Sequence, residues 1–242
     1  MPHLFDPLTL RGATLRNRIG VSPMCQYSAV DGLANDWHMV HLGSRAVGGA
    51  GLVMTEATAV EARGRISPSD LGIWSDAHVP PLARIARFVK EQGAVPGIQL
   101  AHAGRKAAHA VPWKEGTPLA DAEGGWTPIG PSAIPFSPKD RVPSEMTKGD
   151  IATVLDAFHA AALRAREAGF AWAELHAAHG YLAHSFLSPL SNRRTDEYGG
   201  GFENRLRFVL AAFRAVRSAW PEERPLSVRL SCTDWAEGGW TL

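Results

Sequence analysis

Short apolar runs of four to eight residues alternate along this chain with longer stretches whose apolar residues recur every three or four positions. The first pattern reads as buried strand and the second as amphipathic helix. Leu4 to Asn17 alternates around Arg11-Gly12 and predicts a β-hairpin. Arg18 to Ser22 reads as a first buried strand, stopped by Pro23. Asp36 is placed as the N-cap of a helix running from about Trp37 to Gly48-Gly49. Gly51 to Ala57 is a second strand. The next helix begins at Asp76, carries Val79, Leu82, Ile85 and Val89 on one face, and ends at Gly93. Ala94 to Leu100 is a third strand.

Residues 106–146 are rich in Pro and Gly and carry little periodicity, which marks a long loop that is functional or has small elements of its own. Thr147 with Asp150 resembles a capping box, with Asp in place of Glu. Ile151, Val154, Leu155, Phe158 and Ala162 then trace a helix that ends at Gly169. Residues 170–176 form a fourth strand. A loop over 186–202 leads to a helix over 203–219, closed by Pro221. Leu226 to Leu230 is a fifth strand.

Strands alternating with helices imply parallel βαβ units and an α/β fold. An open doubly wound sheet and a (β/α)8 TIM barrel both satisfy that pattern. The open sheet usually binds nucleotides through a Gly-rich first turn. Here the first turn is Ser22-Pro23-Met24-Cys25, without G-x-G-x-x-G or a P-loop, which favours the barrel. Five strands stand where a barrel needs eight. The expectation is therefore a single barrel domain over 1–242, incomplete at its C-terminus. It carries an N-terminal hairpin at about 4–17 and an insertion loop at about 106–146.

Composition narrows the function classes. The 242 residues are 45% hydrophobic and 20% charged, with a formal net charge of +1. That balance gives no general pull toward nucleic acid or an anionic membrane. No apolar run is long enough for a membrane span, and the N-terminus lacks a signal-peptide pattern. Cys25 and Cys232 do not make a disulfide framework, so a reducing cytoplasmic setting is expected.

The chemistry concentrates where the fourth strand ends, in Glu174-Leu175-His176-Ala177-Ala178-His179-Gly180-Tyr181. Strand carboxyl ends of a parallel barrel face a shared mouth. His176 and His179 fit a metal pair, satisfied structural histidines, or two donors to one substrate oxygen. No H-E-x-x-H motif or Cys cluster supplies further metal ligands. Tyr181 beside them reads as an ordinary aromatic or as a proton source. His38 and His41, at i, i+3 on a helix, read as structural, as does Cys232. Cys25 divides evenly between a buried apolar role and a functional one. Arg229 lies in an otherwise apolar strand, where a charge needs a partner; an anionic cofactor is a natural one. Asn192, Arg193 and Arg194 read as braces of their loop.

Four runs carry a resemblance. Ser-Pro-Met-Cys-Gln-Tyr (22–27), Gly-Ile-Gln-Leu-Ala-His-Ala-Gly-Arg-Lys (97–106), Glu-Leu-His-Ala-Ala-His-Gly-Tyr-Leu (174–182) and Ser-Asn-Arg-Arg-Thr-Asp-Glu-Tyr-Gly-Gly (191–200) resemble the old yellow enzyme family of FMN-dependent ene-reductases. The Cys25 and Tyr27 pair is typical of its thermophilic-like branch. The resemblance implies a TIM barrel of the FMN-linked oxidoreductase type, with FMN at the carboxyl ends of the strands and NADPH or NADH as hydride donor. It implies Ser22, Pro23, Met24 and Cys25 along the flavin, Ala57 and Gln99 against its ring, and Arg229 near its N1–O2 edge. It further implies His176 and His179 on the activating oxygen of an α,β-unsaturated carbonyl or nitroalkene. Tyr181 is then the proton donor, Cys25 the tuner of the flavin potential, and Tyr27 part of the pocket wall. A homo-oligomer, dimer or tetramer, belongs to the same picture. Two other readings are the barrel domain of a larger dienoyl-CoA reductase or amine dehydrogenase, and an inactive fragment without stable flavin.

Overall fold

The computed structural model describes residues 1–241. An antiparallel pair, β1 (Leu8–Leu10) and β2 (Ala13–Leu15), turns at Arg11-Gly12 in the register Leu8↔Leu15. Then come β3 (Gly20–Val21), α1 (Asp36–Val47), β4 (Leu52–Ala59), α2 (Val79–Glu91) and β5 (Val95–Ala101). The 106–146 segment contains a small parallel pair, β6 (Ile129–Gly130) and β7 (Ser144–Glu145). The chain continues through α3 (Lys148–Glu167), β8 (Trp172–Ala177), α4 (Leu182–Leu187), α5 (Phe202–Ala219) and β9 (Leu226–Leu230).

One parallel five-stranded sheet, in the order β3-β4-β5-β8-β9, organises all of this. Each new strand is added beside the last, always on the same side. A doubly wound sheet would reverse direction at a switch point. The monotonic order is that of a barrel wall, which settles the alternative that periodicity left open.

The two faces of the sheet differ in character. Ile98, Leu100, Ala173 and Leu175 are buried against helices in the main hydrophobic cluster, with Phe158, Phe170 and Phe208. Each such fully buried side chain contributes roughly 1.5–3 kcal/mol. A second cluster joins Leu42, Val53, Ile85 and Val89 between α1, α2 and β4. Side chains alternate across a strand, so Gln99, Glu174, His176, Ser227 and Arg229 share the opposite, concave face. Gln99 Nε2 donates to Glu174 Oε1 at 2.8 Å and Ser227 Oγ donates to Glu174 Oε2 at 3.2 Å. A filled barrel interior is normally apolar; this concave face is polar.

Element ends follow local chemistry, with three corrections. The cap of α1 is Asn35, whose side chain accepts from Trp37 N at 3.0 Å, and not Asp36. Asn35 has the extended backbone a cap needs, while Asp36 is already helical and bonds Arg84 at 3.0 Å. Asp76 opens a 3-10 turn over Asp76–His78, capped by Ser75, and α2 proper begins at Val79. Helix α4 interrupts the stretch between β8 and the 186–202 loop. All six of its residues are buried, so it shows no amphipathic period. The Thr147–Asp150 capping box is present, with Asp150 N donating to Thr147 Oγ1 at 3.1 Å. Arg194 braces its loop by donating to Pro131 O and Met146 O at 3.0 and 2.6 Å. Asn192 donates to Phe186 O and Tyr198 O at 2.8 and 2.7 Å.

Candidate active site

The carboxyl end of β8 delivers three side chains into one cluster. His176 and His179 stand edge to face with ring centroids 5.0 Å apart. Tyr181 stands edge to face with His176, also at 5.0 Å. His179 Nδ1 lies 3.3 Å from His176 Nε2. His176 Nδ1 accepts from Ala178 N at 3.2 Å. That bond assigns the His176 proton to Nε2, the atom aimed at His179.

The turn is strained and held. His179 has φ of 61° and Gly180 φ of 74°. The left-handed region costs a non-glycine residue about 1 kcal/mol or more. Two long-range bonds hold His179 there: its N donates to Ser231 Oγ at 2.9 Å, and its carbonyl accepts from Lys106 Nζ at 3.1 Å. Gly180 N donates to His184 Nδ1 at 2.7 Å, and His184 Nε2 faces Asp234 Oδ1 at 3.0 Å. Asp234 Oδ2 also accepts from Ser188 Oγ at 2.6 Å. The segment after β9 thus clamps the turn after β8. Opposite, the backbone of Gly104 approaches α4 so closely that a Cβ there would lie 2.7 Å from Leu182 Cα.

Burial sets the protonation states. It holds His176 down to about 3, with His179 and Arg229 adding to the shift. His179 is lowered too, by burial and then by Arg229 and Lys106. Burial pushes the Tyr181 phenol well above its usual range, and Cys25, Tyr27 and Asp70 push the same way. Near neutral pH the cluster is therefore two neutral imidazoles and a protonated phenol. All three can donate hydrogen bonds without carrying charge.

The loop after β3 forms a second wall. Tyr27 has φ of 49° and meets Trp113 of the long loop edge to face at 5.9 Å. Gln26 N donates to Glu56 Oε2 at 3.0 Å, and His38 Nε2 lies 3.2 Å from Glu56 Oε1. His38 and Glu56, both buried, pin the Cys25–Tyr27 segment. Burial, then Asp70 and Glu56, raises the Cys25 thiol to about 12, so it stays protonated. Ala57 pairs in register with Gln99. Ala57, Asp70 and Tyr181 line one small cavity.

Ser22 and Pro23 line a groove of about 430 Å³ with Met54, Glu174 and Arg229. Met24 is exposed. Arg229 pairs in register with His176. It is half-buried and has no hydrogen-bond or ion-pair partner among the described residues. The structure gathers His176, His179 and Tyr181 in one cluster and places Ser22, Pro23 and Arg229 along one groove. Gln99 is occupied by Glu174. Cys232, read as structural, is exposed on a neighbouring cavity wall. Sequence reasoning missed the supports Glu56, Lys106, His184, Ser231 and Asp234. Their partners lie tens of residues away in most cases, and no local period marks them.

A five-stranded barrel wall with a histidine pair and a phenol clustered at its carboxyl rim defines the class of this α/β domain. The family model described as NADH:flavin oxidoreductase / NADH oxidase matches residues 3–242, and the chain belongs to that family. An NADPH dehydrogenase of Geobacillus sp. (strain WCH70) is 54% identical over 241 residues, covering 99% of this chain and 66% of that protein. An NADH:flavin oxidoreductase of Gibberella zeae is 51% identical over 238 residues, covering 97% of this chain and 58% of its own length. Among solved structures, morphinone reductase in complex with tetrahydroNAD superposes with a TM-score of 0.86 at 30% identity, over 100% of this chain and 67% of that one. The old yellow enzyme from Pichia sp. AKU4542 gives 0.84 at 28% identity, over 98% and 62%. The chain thus spans 66% and 58% of the length of these two sequence relatives.

Proposed function

We propose that this chain carries the substrate and flavin face of an FMN-dependent NAD(P)H oxidoreductase that reduces the C=C bond of α,β-unsaturated carbonyls or nitroalkenes. The observation that carries the reading is the 3.3 Å approach of His176 Nε2 and His179 Nδ1 beside Tyr181. Two neutral N–H donors converging on one point polarise a carbonyl or nitro oxygen without neutralising it. With His179 protonated at Nδ1, the oxygen sits between the rings and takes both bonds. Electron density is drawn toward it, and the β-carbon becomes electrophilic. The Tyr181 phenol supplies a proton to the α-carbon. No metal-ligand cluster competes for the histidines among the described residues.

The residues present fit FMN. Arg229 is a cation without a partner on the concave face, and the groove beside it runs along Ser22 and Pro23. When bound there, FMN supplies hydride chemistry that no side chain here provides. Arg229 would hold the anionic edge of the ring, with Ser22, Pro23, Met24, Ala57 and Gln99 around it. Cys25, protonated, would act as a weak donor near the ring and substrate, and Tyr27 would wall the pocket.

We place the reaction in the reducing cytoplasm, since both cysteines are free thiols; no helix among the described residues is long and apolar enough to cross a membrane. A homo-oligomer is supported by an exposed apolar stripe on α1, Trp37, Val40 and Val47. Sedimentation of a purely monomeric protein would overturn that part.

The test of the main reading is an absorbance spectrum of the purified chain after FMN is added in excess and removed by gel filtration. A retained flavin band, bleached by NADPH and restored by cyclohexenone, is expected. A folded chain that keeps no flavin overturns the assignment to this polypeptide. The clamp has its own test. His184→Leu breaks the bond to Gly180 and is expected to lower turnover of the enone by roughly a hundredfold at most through misplacement of Tyr181. His184→Gln keeps one acceptor and one donor and is expected to restore most of it. Equal losses in both variants would show that the Gly180 bond is irrelevant.

A further inference from the structure

Two cations beside the histidine pair carry a charge that the chemistry above does not use. Arg105 and Lys106 lie in the turn Gly104–Lys106 that follows β5. Both line a cavity of about 610 Å³ that opens beside His179 and is flanked by Phe136 and Trp235. That volume is typical of a small-molecule site. Arg105 Nη1 donates to Pro135 O at 3.1 Å and Ile134 O at 3.4 Å. Its Nε is buried without a partner. Lys106 Nζ donates to His179 O and sits 4.2 Å from the centre of the Phe136 ring.

Neither cation forms an ion pair among the described residues. The carboxylates in their surroundings are engaged elsewhere. Asp140 bonds His109 at 2.9 Å. Asp234 faces His184 at 3.0 Å and accepts from Ser188 at 2.6 Å. Burial works against the charge on both side chains, and Arg105 works further against Lys106. Two adjacent half-buried cations without a countercharge are unfavourable unless an anion arrives.

We propose that Arg105 and Lys106 form an anion seat next to the histidine pair, taking a phosphate or carboxylate carried by the molecule whose reacting end lies at His176, His179 and Tyr181. This rests on the oxidoreductase reading above. The Lys106 bond to the His179 carbonyl places the seat directly beside the reacting end. The remaining guanidinium N–H groups of Arg105 suit an oxyanion. Phe136 and Trp235 offer apolar flanks for a ring attached to that anion. Two ligands carry such a group: the dinucleotide reductant through its phosphates, and an unsaturated acid through its carboxylate.

The experiment uses flavin-loaded protein and the variants Arg105→Gln and Lys106→Gln. Reduction is followed with NADPH and with 1-benzyl-1,4-dihydronicotinamide, which has no phosphate, across a range of salt. Reoxidation is followed with an unsaturated acid and its methyl ester. Binding of 2′,5′-ADP is measured by calorimetry, a readout that needs no turnover. In the reductant case, each variant weakens NADPH about tenfold relative to the benzyl donor at low salt and flattens the salt dependence seen in the parent chain. 2′,5′-ADP binding falls in parallel. In the substrate case, Arg105→Gln loses the acid and spares the ester, while Lys106→Gln, which also loses the bond to the His179 carbonyl, slows both and the acid more. Unchanged ratios in both arms, with salt dependence intact, overturn the seat. Failure of every donor to reduce the protein overturns instead the reading it rests on, and the calorimetry then still decides whether the two cations bind an anion.

Discussion

Replacing Tyr181 with Phe is expected to slow reoxidation by cyclohexenone by roughly 10²–10⁴-fold, the usual worth of a positioned general acid. Reduction by NADPH should be nearly unaffected. The asymmetry follows from what the phenol does. Burial keeps Tyr181 protonated far above neutral pH, so in the proposed role it would hold a proton ready for the α-carbon. Phe keeps the ring that stands 5.0 Å from His176 and removes only the hydroxyl. Stopped-flow traces of the two half-reactions check this directly. Equal slowing of both would remove Tyr181 from the proton-donor role and make it a packing residue.

The second large effect is expected from His176→Ala combined with His179→Ala. A phenol whose oxygen mimics the activated substrate oxygen should bind the double variant at least about a hundredfold more weakly, because two hydrogen bonds to a charged oxygen are lost at roughly 1.5–3 kcal/mol each. Burial holds His176 neutral down to about 3. The pair therefore binds through donor geometry and not through imidazolium charge. Each single variant should lose less than half of the combined free energy if the surviving ring turns to compensate. Spectral titration with the phenol measures all three constants. Unchanged affinity in the double variant would sink the oxygen-holding assignment.

These predictions depend on supports drawn from distant parts of the chain. His179 occupies a left-handed conformation because Ser231 and Lys106 hold both ends of its peptide. Tyr27 does the same where Glu56 takes the N–H of Gln26. Strain at two residues, each fixed by a remote partner, would keep the proposed donors aimed before any ligand arrives.

The sequence by itself determined the hairpin, the five strands of the main sheet and most helices, because their signals are local, but not the short β6–β7 pair. Period-two and period-3.6 patterns mark which faces meet the core, and Thr147 with Asp150 announces the start of α3 within one turn. It also marked His176, His179 and Tyr181 as candidates, since all three fall within six residues at the end of one strand. Only the tertiary structure decided that the sheet adds strands in one direction, because strand order is a matter of pairing between segments tens of residues apart. Only the tertiary structure revealed α4, whose all-round burial erases any period. It alone set His184 against Asp234, Glu56 against Gln26, and Arg105 with Lys106 beside the histidines. Those relations are made by the curvature of the sheet, which brings the carboxyl ends of separate strands to one rim. No pattern within a single segment encodes that.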